Sequence, residues 1–141
     1  MMTRTELLAA HVSLPPKEFC RGIWDCCSWV ADWARTISGR PVGEGITCRR
    51  LSTEQAKQIL KDRGGMTEAI EQEMARNGWD RLGPNEPRQD GDICTIRGHN
   101  KEKAFYVSVG IFRAGKVIVV AETGAFRLVP PEFIERAYRW A

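Results

Sequence analysis

From Asp25 onward, apolar residues recur at Cys26, Trp29, Val30, Trp33, Ala34 and Ile37, the spacing of a single stripe along an α-helix. Gly39 and Pro41 end the run. Asp25 is the natural N-cap, because its carboxylate can accept from the free amides of the first turn. Cys26 then takes the first helical position. A shorter helix is predicted over Thr5 to Val12, and Pro15-Pro16, which lack an amide proton, stop whatever precedes them. Ser52 and Gln55 have the spacing of a capping box for another helix, thin in apolar residues, that Gly64-Gly65 closes. Thr67 is the predicted cap of a further helix through Ile70 and Met74, ended by Asn77-Gly78. The stretch from Trp79 to Gln89 reads as a connecting loop.

After Gly91-Asp92 the period changes from about 3.6 to 2. Ile93 to Ile96 is a short strand. Ala104 to Phe112 alternates, with Phe105, Val107, Val109 and Ile111 on one face and Tyr106, Ser108, Gly110 and Phe112 on the other. Ala114-Gly115 has the length of a hairpin turn into Val117 to Ala121. Thr123-Gly124 breaks the chain before a strand over Phe126 to Val129, and Ala137 to Trp140 is the predicted closing strand. Helices followed by an antiparallel meander make an α+β domain.

Composition narrows the class. At 141 residues, 43% apolar and 28% charged, the chain is expected to form one domain over 1–141. Its parts are an N-terminal extension at 1–16, a helical part at 24–78 and a sheet at 91–141. No apolar run has the length of a membrane span, and Met1 to His11 lack the apolar block of a secretory signal. The net charge of +3 is spread without a basic tract, which argues against nucleic acid as a partner. Five cysteines, Cys20, Cys26, Cys27, Cys48 and Cys94, contain no C-x-x-C pair. Reduced thiols are therefore expected, with no metal and no cofactor.

Cys26 carries the candidate chemistry. At a helix N-terminus, unpaired amides and the macrodipole favour a thiolate, the nucleophilic form. The competing assignment is a buried thiol acting as a small apolar residue, and Cys26 does share a stripe with Val30, Trp33 and Ile37. Acyl transfer would also need an acid–base partner. The chain offers two histidines, His11 in the leading segment and His99 in a Gly98-His99-Asn100 turn. His99 is the weak candidate. Trp29 and Trp33 belong to the core, whereas Trp24, Trp79 and Trp140 are candidates for an interface. Most of the 21 basic residues are arginine, suited to bidentate carboxylate pairs.

A helix-opening Asp25-Cys26, then Gly91-Asp92 before a strand, then Val109-Gly110-Ile111 resemble the pattern of NlpC-like cysteine peptidases of the papain-like fold. The resemblance implies N-terminal helices packed on a C-terminal antiparallel sheet, a small open barrel, with Cys26 as the nucleophile. It also places Ser108 at the histidine position and Val120 near the third, imidazole-orienting position, with Glu122 the nearest polar alternative. A hydroxyl does not titrate near neutral pH, so Ser108 cannot replace an imidazole.

Over nearly its whole length the chain further resembles a phage and prophage family of that superfamily. The motifs are Gly22-Ile23-Trp24-Asp25-Cys26, Gly64-Gly65-Met66, Gly91-Asp92-Ile93, Val109-Gly110-Ile111 and Tyr138-Arg139-Trp140. Trp24 here touches Asp25 directly, where family members place a glycine and two further residues between them. This second resemblance implies a structural or assembly component of a phage tail tip or baseplate. Such a protein is made in the host cytoplasm, docks on the tail hub and is carried in the virion. The alternatives are an active peptidase or amidase that cleaves peptidoglycan stem peptides during genome entry, and a tail-assembly chaperone.

Overall fold

A computed structural model of the chain describes residues 2–13, 26–44, 52–98, 107–121 and 123–141. Helix α1, Arg4–Val12, starts at a capping box in which the Thr3 hydroxyl accepts from the Glu6 amide. Leu8 is buried, and Leu7 and Val12 pack beside it against the main core. The Arg4 guanidinium donates to the Trp140 carbonyl at 2.6 Å, so α1 is tied to the end of the last strand.

Helix α2, Cys26–Ser38, follows the predicted stripe. Trp29, Val30, Trp33 and Ala34 are all buried, and Trp33 is 0% exposed with its indole N–H donating to the Gly91 carbonyl at 2.9 Å. Helix α3, Thr53–Asp62, begins at the predicted capping box: the Ser52 hydroxyl accepts from the Gln55 amide at 3.1 Å, and the Gln55 side chain returns the bond. At Gly64, φ is +91°, a conformation that lets the chain turn out of the helix.

Helix α4, Met66–Arg76, departs from expectation at its start. Its N-cap is Gly65, and Thr67 sits inside the first turn with its hydroxyl donating to Glu135 at 2.9 Å. A hydroxyl drawn to a partner on the sheet is not available to cap its own helix. Asn77-Gly78 ends α4 as predicted, with the Asn77 amide donating to the Glu73 carbonyl.

The sheet contains β1 Asp80–Arg81, β2 Ile93–Arg97, β3 Val107–Arg113, β4 Lys116–Val120, β5 Phe126–Val129 and β6 Ile134–Arg139. All pairings are antiparallel, in the order β1-β6-β2-β3-β4-β5. The meander holds from β2 to β5. The last strand, however, inserts between β1 and β2 instead of extending the meander, and β1 lies inside the stretch read as a loop. Burial on both faces accounts for the central position of β6: Tyr138 packs toward the helices and Ala137 away from them.

Two cores result. Ile93, Val109, Ile111, Ile118, Val120 and Tyr138 face α1, α2 and α4. Cys94, Ile96, Val117, Val119, Val129 and Ala137 form a second core on the other face, with Leu82, Phe112 and Phe133. Phe133 reaches this core from the short 3-10 helix Pro131–Phe133. Gly110 lets β3 and β4 approach closely, because a Cβ there would collide with the Ile118 carbonyl oxygen. Among the described strands the sheet is not closed, and β1 and β5 are its edges.

The β3–β4 turn has both central residues at positive φ, Ala114 at 51° and Gly115 at 81°, the twist that suits a two-residue hairpin.

Candidate functional site

The site begins where the first turns of α2 meet the sheet. Trp29 packs against Phe126 with ring centroids 5.1 Å apart, and Phe126 stands opposite Val120 in the β4–β5 register. The early part of α2 therefore lies over the Val120 end of the sheet, while Trp33 reaches Gly91 at the other end. The backbone of Cys26 opens α2. Its side chain, and all of Cys20, Trp24, Asp25, Cys48, His99 and Glu122, lie outside the described residues.

Val120 faces α2. Ser108 does not. It pairs with Ile96, whose side chain belongs to the second core, so the pleat turns Ser108 to the face away from α2. The expectation that Ser108 occupies the slot opposite the cysteine is corrected accordingly. The β3 residues that the alternation puts on the helix side are Val107 and Val109, and neither can hold or move a proton.

His11 is used differently from either histidine role considered. Its ring stacks on Trp29, with centroids 5.0 Å apart at 26°, and lies 5.8 Å from Trp33. Nε2 donates to the Trp29 carbonyl at 2.9 Å. Burial lowers its pKa from the usual 6.5, against the opposing effects of that bond and of Asp32. Because a helical carbonyl points toward the C-terminus, the ring sits alongside the middle of α2 rather than at its first residue. His11 thus fastens α1 to α2.

The strand-opening Gly91-Asp92 is also structural. At Gly91, φ is +94° and a Cβ would come within 3.1 Å of the Trp33 ring, so the helix can approach only a glycine. Asp92 is 1% exposed and holds Arg139 in a two-pronged pair, Nε to Oδ1 at 2.9 Å and Nη2 to Oδ2 at 2.7 Å. It also accepts from the Gln89 amide, and Arg139 donates onward to the Pro87 carbonyl. The motif therefore clamps β6 to the loop before β2.

Trp79 is 5% exposed, and its ring lies 5.9 Å from that of Trp140. Its expected docking role is corrected: a side chain this buried, packed against Trp140, belongs to the core. Trp140 is half-buried, covering Gly78. Cys94 is 0% exposed, and burial, reinforced by Asp92, pushes its thiol up to about 12, far from thiolate chemistry.

One feature passed over in the sequence is the carboxylate of Glu73. It is 2% exposed and forms part of the wall of an apolar cleft of about 340 Å³, counting its open mouth, between α2, α4 and Val42-Gly43. Cys27, Val30, Ile70, Met74 and Val109 line the rest. One Glu73 oxygen accepts from the Gly43 amide at 2.9 Å, and the other is shared by Arg63 and Arg76. The signal was present: Glu73 interrupts the apolar face Ala69, Ile70, Met74 at a buried helical position. With its charge matched by two guanidiniums, it anchors the 42–43 turn.

A family model described as a domain of unknown function (DUF6950) matches residues 3–140. The chain belongs to the DUF6950 family. No curated protein and no solved structure matches it. The match runs from α1 to β6, so the DUF6950 domain comprises both the helices and the sheet. Within this DUF6950 chain, among the described residues, no three His, Cys, Asp or Glu side chains converge on a point that could hold a metal, and no helix is long and apolar enough to cross a membrane.

Proposed function

We propose that this protein is a structural or assembly component of a phage tail tip or baseplate, an NlpC-like domain of papain-like ancestry that docks on the tail hub and performs no bond cleavage. The phage-family motifs, in their order and spacing, support the tail assignment. The inert reading rests on one observation above the others: the described residues that β3, β4 and β5 place on the helix-side face at the Val120 end are Val107, Val109, Val120 and Phe126. A thiolate at Cys26 could attack an acyl carbon, but an amine leaving group needs a proton, and none of these four side chains can supply one. His11 is committed to the Trp29 carbonyl, and Asp92 to Arg139.

In this reading the protein is made in the host cytoplasm and carried in the virion, with neighbouring tail proteins as its partners. Trp140 is the docking residue retained from the sequence, joined by Trp24. The protein is expected to remain with washed, intact tails at fixed stoichiometry. Its loss during maturation would transfer it to the assembly chaperones. Incubation with cell-wall fragments is expected to release no stem peptides beyond what a Cys26→Ala variant releases. Turnover that depends on Cys26 would instead make it a peptidoglycan peptidase.

A further inference from the structure

The edge strand β5 carries an unused set of recognition groups. The Ala121 amide donates to the Ala125 carbonyl at 2.8 Å, and these residues lie opposite each other in the extended β4–β5 register. In an antiparallel ladder bonded pairs alternate, so Arg127 and Val129 direct their N–H and C=O groups at β4. Leu128 must then direct both of its backbone groups outward, to the open side of the sheet. Its side chain is 58% exposed, whereas most large apolar residues here are covered. It stands on the helix-side face, opposite Ile118 and two residues from Phe126.

Arg127 lies on the other face, across from Val119 of the second core, and its Nε is buried without a hydrogen-bond partner. A buried guanidinium N–H left unmatched costs stability that an incoming acceptor would recover.

From these features we infer that β5 receives an extended segment of another protein in which an acidic residue lies between two apolar ones. The segment adds a strand to the sheet through the backbone of Leu128. Its apolar residues lie on the face of Leu128, one of them covering that side chain, and its carboxylate stands across from Arg127. A second copy of this chain is a poorer occupant. Antiparallel self-pairing centred on Arg127 opposes two guanidiniums, and self-pairing centred on Leu128 brings Pro130, which has no N–H, to the next bonding position. The inference rests on the geometry of the edge and does not depend on the tail-tip reading.

The test uses the full chain and two fluorescent heptapeptides, Thr-Thr-Val-Glu-Val-Thr-Thr and the same peptide with Lys in place of Glu. The Glu peptide is expected to bind about fivefold more tightly, as opposite and like cross-strand charges differ. Arg127→Glu should invert that preference and Arg127→Gln should erase it, changes that a merely misfolded variant cannot produce. N-methylation of both valines should abolish binding by removing the ladder bonds. Equal binding of the two peptides, or a preference that Arg127→Glu leaves intact, overturns the proposal. Concentration-dependent dimers that Leu128→Asp dissolves would also overturn it, giving the edge to a second copy.

Discussion

Asp92 shows how a single residue can be conspicuous in a sequence for one reason and matter for another. Its carboxylate is shielded from water and meets Arg139 through two bonds, so removing it strands a guanidinium that is only 19% exposed. Asp92→Ala is expected to cost about 3–5 kcal/mol, measured by chemical denaturation. His11 makes the corresponding point for a titrating group. Burial holds its pKa below the usual 6.5, so the folded protein takes up a proton less readily than the unfolded chain. Its contribution to stability is complete above that ordinary value and is lost as the pH falls below it toward the depressed native value. Denaturation midpoints should therefore decline more between pH 7 and pH 5 in the natural protein than in His11→Gln.

At the scale of elements, α2 is the piece on which the others are assembled. Its buried stripe meets α1 through His11 and Leu8, the sheet through Val109 and Phe126, and the loop before β2 through the Trp33 indole. Trp33→Ala removes both a fully buried ring and the donor to the Gly91 carbonyl. A loss of about 3–5 kcal/mol is expected, again from denaturation. A change within about 0.5 kcal/mol, the response of a surface site, would mean that the helix faces another way. Helix α4 is held by charge as well as by apolar contact. Glu71 pairs with Arg81 of β1 and Arg136 of β6, and Glu135 pairs with Arg97 while accepting from Thr67. The abundance of arginine noted in the sequence is thus partly spent inside the fold, fixing α4 to the sheet.

For the whole molecule, the deciding feature is a sheet that carries a core on each face and, among the described strands, is not closed. Gly110 is a tight point in it, where the Ile118 carbonyl and the Val117 and Val119 side chains leave no room for a methyl group. Gly110→Ala should push β3 and β4 apart, lower the melting temperature, and increase amide exchange in the second core more than around α2. Uniform exchange across both cores would count against a local hinge. Periodicity, caps and turn residues were enough to predict α2, the Ser52 box, the Ala114-Gly115 hairpin and the strands from β2 to β5, because each depends on neighbours within a few residues. The same local signals could not place β6 between β1 and β2, turn Ser108 away from α2, bury Trp79, or pair Asp92 with Arg139. Those outcomes depend on which distant surfaces meet, and a hydrophobic pattern specifies that a face must be covered without specifying what will cover it. The tertiary structure made that choice, and with it decided that Val109 and Val120, not Ser108, take the sheet face toward α2.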